Sequence, residues 1–119
     1  MSEQETAVLE LSPAQVAELT GAQLVDVRMT AEYDAGHIAG ARHVPLDQVG
    51  AVAPELDPAK PLVFYCRVGE RSALAADAFR NAGYDAYTMA GGLVAWAGEG
   101  HPLEPDGGEV ASHSSIPDF

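Results

Sequence analysis

Short apolar runs alternate with amphipathic stretches along the chain. Residues 24–27 are apolar except for Asp26 and have polar neighbours on both sides, and residues 62–65 are apolar throughout. Short apolar runs of this kind are typical of buried strands. Residues 84–88 alternate between apolar and polar positions, and residues 7–11 form a short apolar run. These four segments are the main predicted strands.

Helical patterns separate these runs. Ser12, Pro13 and Gln15 form a capping box with proline at the first helical position, and they predict a helix that ends near Gly21. Between the first two long strands the pattern predicts shorter elements: helical turns at 30–36 and 46–49, and a strand at 42–44.

The C-terminal half contains the clearest helix. Between residues 72 and 82 apolar residues recur at helical spacing, and Gly83 follows as the terminating residue. Residues 93–97 begin a last short helix. Strands that alternate with helices indicate an α/β fold in which helices cover both faces of a mainly parallel sheet.

The length of 119 residues favours one compact domain. Beyond Gly100 the composition shifts to proline, glycine, serine and acidic residues. We therefore predict a domain over residues 1–102 and an irregular or mobile tail over residues 103–119.

The net charge is −12, from 18 acidic and 6 basic residues spread along the chain. This charge disfavours nucleic acid and anionic membranes as partners. Residues 1–11 lack the pattern of a signal peptide, no apolar stretch approaches the ~20 residues of a membrane span, and one cysteine forms no internal disulfide. We expect a cytoplasmic protein without a metal, because a single cysteine and four scattered histidines give no zinc-ligand pattern. We also expect no cofactor.

The single cysteine, Cys66, directly follows the predicted strand 62–65. In open α/β sheets ligands bind at this edge, and a loop that leads into a helix N-terminus presents several backbone N–H groups to an anion. Gly69 supplies the conformational freedom that such a loop needs. The candidate site consists of Cys66 as nucleophile and a substrate-binding loop of Arg67, Val68, Gly69, Glu70, Arg71 and Ser72.

Positive charge is concentrated in this loop. Arg67 and Arg71 are two of the six basic residues of an acidic chain. We expect Arg71, rather than Arg67, to point toward an anion bound by the loop. Nearby cations and a helix N-terminus stabilise a thiolate, which is a strong nucleophile. The alternative is a buried structural cysteine. It is disfavoured because a strand, the cysteine, a glycine, two arginines and the start of a helix occur together in one short segment.

Three further residues have two interpretations each. Asp26 and Arg28 straddle the end of a predicted strand, where an ion pair would order loops near the site, although ordinary scaffold bonding is favoured. Glu70 is either a solvated rim residue or a residue that favours a thiol or protein acceptor with a cationic approach surface.

The loop Cys66-Arg67-Val68-Gly69-Glu70-Arg71-Ser72 resembles the active-site loop of single-domain rhodaneses. Two flanking patterns resemble the same family in the same order. The first pattern comprises Asp26-Val27-Arg28, Glu32-Tyr33, Gly36-His37-Ile38, Gly40-Ala41 and Val44-Pro45. The second pattern comprises Gly91-Gly92 and Ala95-Trp96. The resemblance covers about residues 12–102 and not the tail.

This resemblance implies a five-stranded sheet between helices and a sulfurtransferase that carries a persulfide on Cys66. The expected donor is thiosulfate or a similar small anion, and the expected acceptor is cyanide, a thiol or a protein. Alternatives are a persulfide carrier in a sulfur relay and a non-catalytic binding module. Phosphatase and arsenate-reductase relatives place one more residue between cysteine and arginine than the four found here, which makes those activities less favoured.

Overall fold

A five-stranded, entirely parallel sheet forms the centre of the protein, as seen in a computed structural model that describes residues 9–111. The strand order is β1-β5-β4-β2-β3. The strands are β1 (Glu10–Leu11), β2 (Gln23–Asp26), β3 (Arg42–His43), β4 (Leu62–Tyr65) and β5 (Ala86–Met89). The helices are α1 (Pro13–Glu18), α2 (Thr30–Ala35), α3 (Val49–Val52), α4 (Glu70–Asn81) and α5 (Gly92–Gly98), and single 3-10 turns flank α3 at Leu46–Gln48 and Ala53–Glu55.

Strand β4 lies between β2 and β5, and all four of its residues are buried. Leu62 and Phe64 point to one face, where the core includes α3 and α4. Val63 and Tyr65 point to the other face, where the core includes α1 and α5. Because successive side chains of a strand point to opposite faces, β4 contributes to the core on both sides of the sheet. The predicted α/β fold, with helices on both faces of a parallel sheet, is confirmed.

Helix α4 begins at Glu70, two residues before the predicted start. Its N-cap is Gly69, whose φ of 108° is a left-handed conformation that favours glycine. The prediction that Glu70 and Arg71 belong to the loop is therefore wrong, because both lie in the first turn of the helix. Helix α1 carries the predicted capping box between Ser12 and Gln15 but ends at Glu18, before Gly21.

The segment that follows the last helix packs against the domain. Leu103 and Val110 contact the core around Trp96, and His37 and Glu104 form an isolated bridge. Residues 103–111 contain no helix and no named strand. The predicted tail continues over residues 112–119, which lie outside the described residues, as do residues 1–8 and with them the start of the first predicted strand.

Within residues 9–111 no helix is long and apolar enough to span a membrane.

Candidate active site

Cys66 lies at the carboxyl end of the central strand and is 1% exposed. Three donors point at its sulfur: the backbone N–H of Gly69 at 3.1 Å, the backbone N–H of Ser72 at 3.4 Å and the hydroxyl of Ser72 at 3.4 Å. Hydrogen bonds to a charged atom favour its charged form. The arrangement therefore suits a thiolate, or an anion formed on that sulfur.

Backbone contacts with α5 hold the loop in this shape. The N–H groups of Leu93 and Val94 donate to the carbonyls of Cys66 and Arg67 at 2.8 and 3.0 Å. These two hydrogen bonds hold the backbone of Cys66 and Arg67 against the start of α5. Gly92 permits the close approach, since a Cβ on it would lie 2.5 Å from the Arg67 carbonyl oxygen.

The substitution Gly92→Ala is expected to lower the free energy of unfolding by about 1–3 kcal/mol. Its φ of +61° disfavours any side chain, and the new methyl group would push α5 away from the Cys66 loop. Urea unfolding measures the loss of stability, and the rate of Cys66 alkylation measures the displacement of α5 from the loop. Gly98→Ala is the matched control, because Gly98 lies in the same helix with open space at its Cβ position. Equal effects of the two substitutions would contradict the proposed packing role.

The Ser72 hydroxyl is oriented by a neighbour on β5. Ser72 and Thr88 are both buried, and their side-chain oxygens lie 2.6 Å apart. When Thr88 donates in this pair, the Ser72 proton is available to the Cys66 sulfur. No local sequence pattern indicates this role of Thr88, because only strand pairing brings β5 beside the loop.

Arg71 forms a bidentate ion pair with Glu32 of α2. Its Nη1 and Nη2 atoms lie 2.8 and 3.0 Å from the two carboxylate oxygens, and Glu32 also accepts the N–H of Met29 at 3.0 Å. The Glu32 side chain is completely buried, and that of Arg71 is 25% exposed. The structure thus places the Arg71 guanidinium at the edge of the loop, against Glu32. In the sequence, Glu32 stands out only as part of a family pattern, and no local signal indicates its contact with Arg71.

This ion pair shifts the pKa values of both partners. The hydrogen bonds that Arg71 donates to Glu32 raise the pKa of Arg71, and the negative charge of Glu32 adds to this effect. Burial alone would raise the pKa of Glu32, but the hydrogen bonds from Arg71 and the Met29 N–H, together with the charge of Arg71, lower it below 4.5. The pair is therefore fully charged at neutral pH.

The stability that Glu32 provides is expected to disappear in acid. Because the pKa of Glu32 is lower in the folded protein, its contribution to the free energy of unfolding is fully present above the unfolded pKa near 4.5. That contribution is lost as the pH falls through the folded pKa. Glu32→Gln should destabilise the protein at pH 7, and its difference from wild type should shrink below about pH 4.5. Urea unfolding across this pH range measures the effect. Glu70→Gln, at an exposed position in the first turn of α4, is the control, and a Glu32→Gln difference that does not vary with pH would contradict the ion pair.

The other residues of the predicted substrate-binding loop lie at the surface around the site. Arg67 Nε donates to the carbonyl of Ala111 at 3.1 Å, so this side chain is bound to the C-terminal segment. Val68 is 44% exposed, and Glu70 is exposed as well. An acidic residue at the position of Glu70 is favourable to α4, because the N-terminal end of a helix carries partial positive charge.

Asp26 and Arg28 form a buried ion pair at the end of β2, where Asp26 lies opposite Tyr65 of β4. Arg28 Nη2 and Nε lie 2.6 and 2.9 Å from the Asp26 carboxylate, and both side chains are 0% exposed. Arg28 Nη2 also donates to the carbonyl of Gly36 at 2.7 Å. The pair joins the end of β2 to the end of α2, which is a scaffold contact.

The family model of the rhodanese-like domain matches residues 12–99. The chain is 40% identical to the uncharacterized protein YqhL of Bacillus subtilis over 66% of this chain and 63% of that protein. It is 35% identical to the thiosulfate sulfurtransferase GlpE of Pseudomonas aeruginosa over 84% of this chain and 93% of that protein. The structure superposes on a rhodanese-related protein from Thermoplasma volcanium with a TM-score of 0.75 and 26% identity, covering 80% of this chain and 96% of that chain. The chain belongs to the rhodanese-like domain family.

Proposed function

We propose that this protein is a sulfurtransferase that accepts sulfane sulfur from thiosulfate, or a similar anionic donor, on Cys66. The observation that carries the proposal is the set of three hydrogen-bond donors aimed at the Cys66 sulfur. The likeness to a thiosulfate sulfurtransferase over most of both chains supports it.

The first half-reaction is a displacement at sulfur. The Cys66 thiolate attacks the outer sulfur of thiosulfate, a bond forms between the two sulfurs, and the bond to the sulfonate sulfur breaks. The electron pair leaves with sulfite, and a Cys66 persulfide anion remains, so total charge is conserved. The donors at Gly69 and Ser72 stabilise negative charge during this step in the same way as an oxyanion hole.

In the second half-reaction a nucleophile removes the outer sulfur of the persulfide. With cyanide the products are thiocyanate and the Cys66 thiolate; with a thiol they are a new persulfide and the thiolate. No cofactor enters this cycle. A persulfide carrier would use the same intermediate and differ only in receiving its sulfur from a protein donor.

The position of Arg71 favours sulfur chemistry over phosphoryl or arsenate chemistry. Both terminal nitrogens of the guanidinium donate to Glu32, so these donors are already engaged and not directed to a tetrahedral oxyanion. The short spacing of four residues between Cys66 and Arg71 supports the same conclusion.

Intact-mass analysis after incubation with thiosulfate tests this proposal. The protein should gain one sulfur atom, peptide mapping should locate it on Cys66, and cyanide or a thiol should remove it. An unchanged mass with thiosulfate, followed by loading from a desulfurase, would favour the carrier. Sulfur that maps to another residue would overturn the site assignment.

A further inference from the structure

Thr88 is a buried polar residue on β5, beside the active-site loop. It is 1% exposed and pairs with Phe64 of β4, two residues before Cys66. Its side-chain oxygen lies 2.6 Å from that of Ser72, which is 0% exposed. Valine has nearly the same shape and would fill this position without burying a hydroxyl group, which is unfavourable unless the hydroxyl is hydrogen-bonded. The contact with Ser72 accounts for a hydroxyl group at this position.

The direction of this short hydrogen bond decides where the Ser72 proton goes. Among the described residues, the acceptors within reach of that one proton are the Cys66 sulfur at 3.4 Å, the Gly69 carbonyl at 3.3 Å and the Thr88 oxygen at 2.6 Å. If Ser72 donated to Thr88, its proton would reach neither the sulfur nor the carbonyl. If Thr88 donates to Ser72, the Ser72 proton remains available to the other two acceptors. Thr88 therefore controls a donor to the sulfur through Ser72.

The charge on the sulfur selects between the two remaining acceptors. A hydrogen bond to a charged acceptor is roughly twice as strong as one between neutral groups, whereas a thiol sulfur is a weak acceptor. The Ser72 hydroxyl should therefore turn toward Cys66 when the sulfur is ionised and toward the Gly69 carbonyl when it is not. Both protons stay on their own oxygens, so this change is the rotation of a hydroxyl group and not a proton transfer.

We propose that Thr88 is a positioning residue that donates to Ser72 and thereby directs the Ser72 proton to Cys66 whenever the sulfur carries negative charge. The inference rests on the proposed function and deepens it, because the thiolate and the persulfide anion are the charged species of that reaction. Thr88 stabilises them through Ser72 and contacts no substrate. In the alternative, a threonine that only packs β5 against α4 has no effect on the charge of the sulfur.

The pH dependence of Cys66 alkylation by iodoacetamide tests this proposal, because the thiolate is the reactive form. In Thr88→Val and Thr88→Ala, which lack the hydroxyl, the midpoint of the rate against pH should move up by about 0.5–1 unit relative to wild type. For the same reason kcat/KM for thiosulfate, measured below the midpoint, should fall by about three- to tenfold. An unchanged midpoint in both variants would overturn the inference.

Thr88→Ser is the matched control. It keeps the hydroxyl group and should retain the wild-type midpoint. Thr88→Ser loses a buried methyl group and Thr88→Val loses none, so a role in packing alone would disturb the serine variant more. A midpoint that moves in Thr88→Ser and not in Thr88→Val would therefore show a packing role and contradict the positioning role.

A double-mutant cycle shows whether Thr88 acts through Ser72. Ser72→Ala should raise the midpoint at least as much as Thr88→Val does, and adding Thr88→Val to Ser72→Ala should move it by less than about 0.3 unit more. Additive shifts would overturn the inference. Alkylation requires no sulfur transfer, so the two failures are distinguishable: a wild-type protein that gains no sulfur from any donor would overturn the proposed function instead.

Discussion

Replacing Cys66 by serine is expected to abolish sulfur loading and to reduce thiosulfate-dependent turnover by at least about 10³-fold. A serine hydroxyl is not ionised at neutral pH and forms no persulfide, so the covalent intermediate is lost. Serine is close to cysteine in size, and the donors at Gly69 and Ser72 would still find an oxygen acceptor. The fold should therefore be retained.

Intact-mass analysis and a thiocyanate assay measure these two losses. Thermal unfolding of the Cys66→Ser protein shows whether the fold is preserved, and Leu74→Ser, on the exposed face of α4, should load sulfur as the wild type does. A serine variant that still gains a removable sulfur atom would show that another group carries it.

Replacing Asp26 by asparagine is expected to lower the free energy of unfolding by about 3–5 kcal/mol. The substitution leaves the Arg28 guanidinium buried at 0% exposure without its ion-pair partner. Burial alone would lower the pKa of Arg28, and the hydrogen bonds and charge of Asp26 raise it above its ordinary value. The remaining contacts of that guanidinium, with the Gly36 carbonyl and the ring of Tyr65, provide no negative charge.

Urea unfolding at pH 7 measures this loss. The matched control is Glu55→Gln, which removes the charge from the exposed ion pair between Arg42 and Glu55. Exposed pairs contribute about 0–1 kcal/mol, so the control should change little. If Asp26→Asn lowers the free energy of unfolding no more than Glu55→Gln does, the buried pair does not hold β2 to the end of α2.

Around Cys66, charged side chains pair with one another, and uncharged groups contact the sulfur. The carboxylates of Asp26 and Glu32 are buried and each neutralises an arginine, so neither presents unpaired negative charge to an incoming anion. Backbone N–H groups and the Ser72 hydroxyl contact the sulfur directly. The loop is therefore supported by ion pairs, while the groups that contact the sulfur are uncharged donors.

The start of α4 shows why an element boundary was mispredicted. Ser72 has the side chain of a typical N-cap and precedes the clearest apolar repeat, so the sequence favours a helix that begins there. The structure begins the helix at Glu70 with Gly69 as the cap, and the Ser72 hydroxyl lies near Cys66 and Thr88 instead. The side chain of Ser72 is engaged by tertiary contacts, which a local capping rule does not consider.

The sequence by itself determined the alternation of strands and helices and the place of Cys66 between strand and helix. Both follow from patterns within about ten residues, because side-chain periodicity and glycine conformations act locally. Only the tertiary structure decided which groups surround that sulfur. Glu32 and Arg71 are 39 residues apart in the chain, and Ser72 and Thr88 are 16 apart. Such partners are selected by the packing of α2 and β5 around the loop, and no local pattern specifies them.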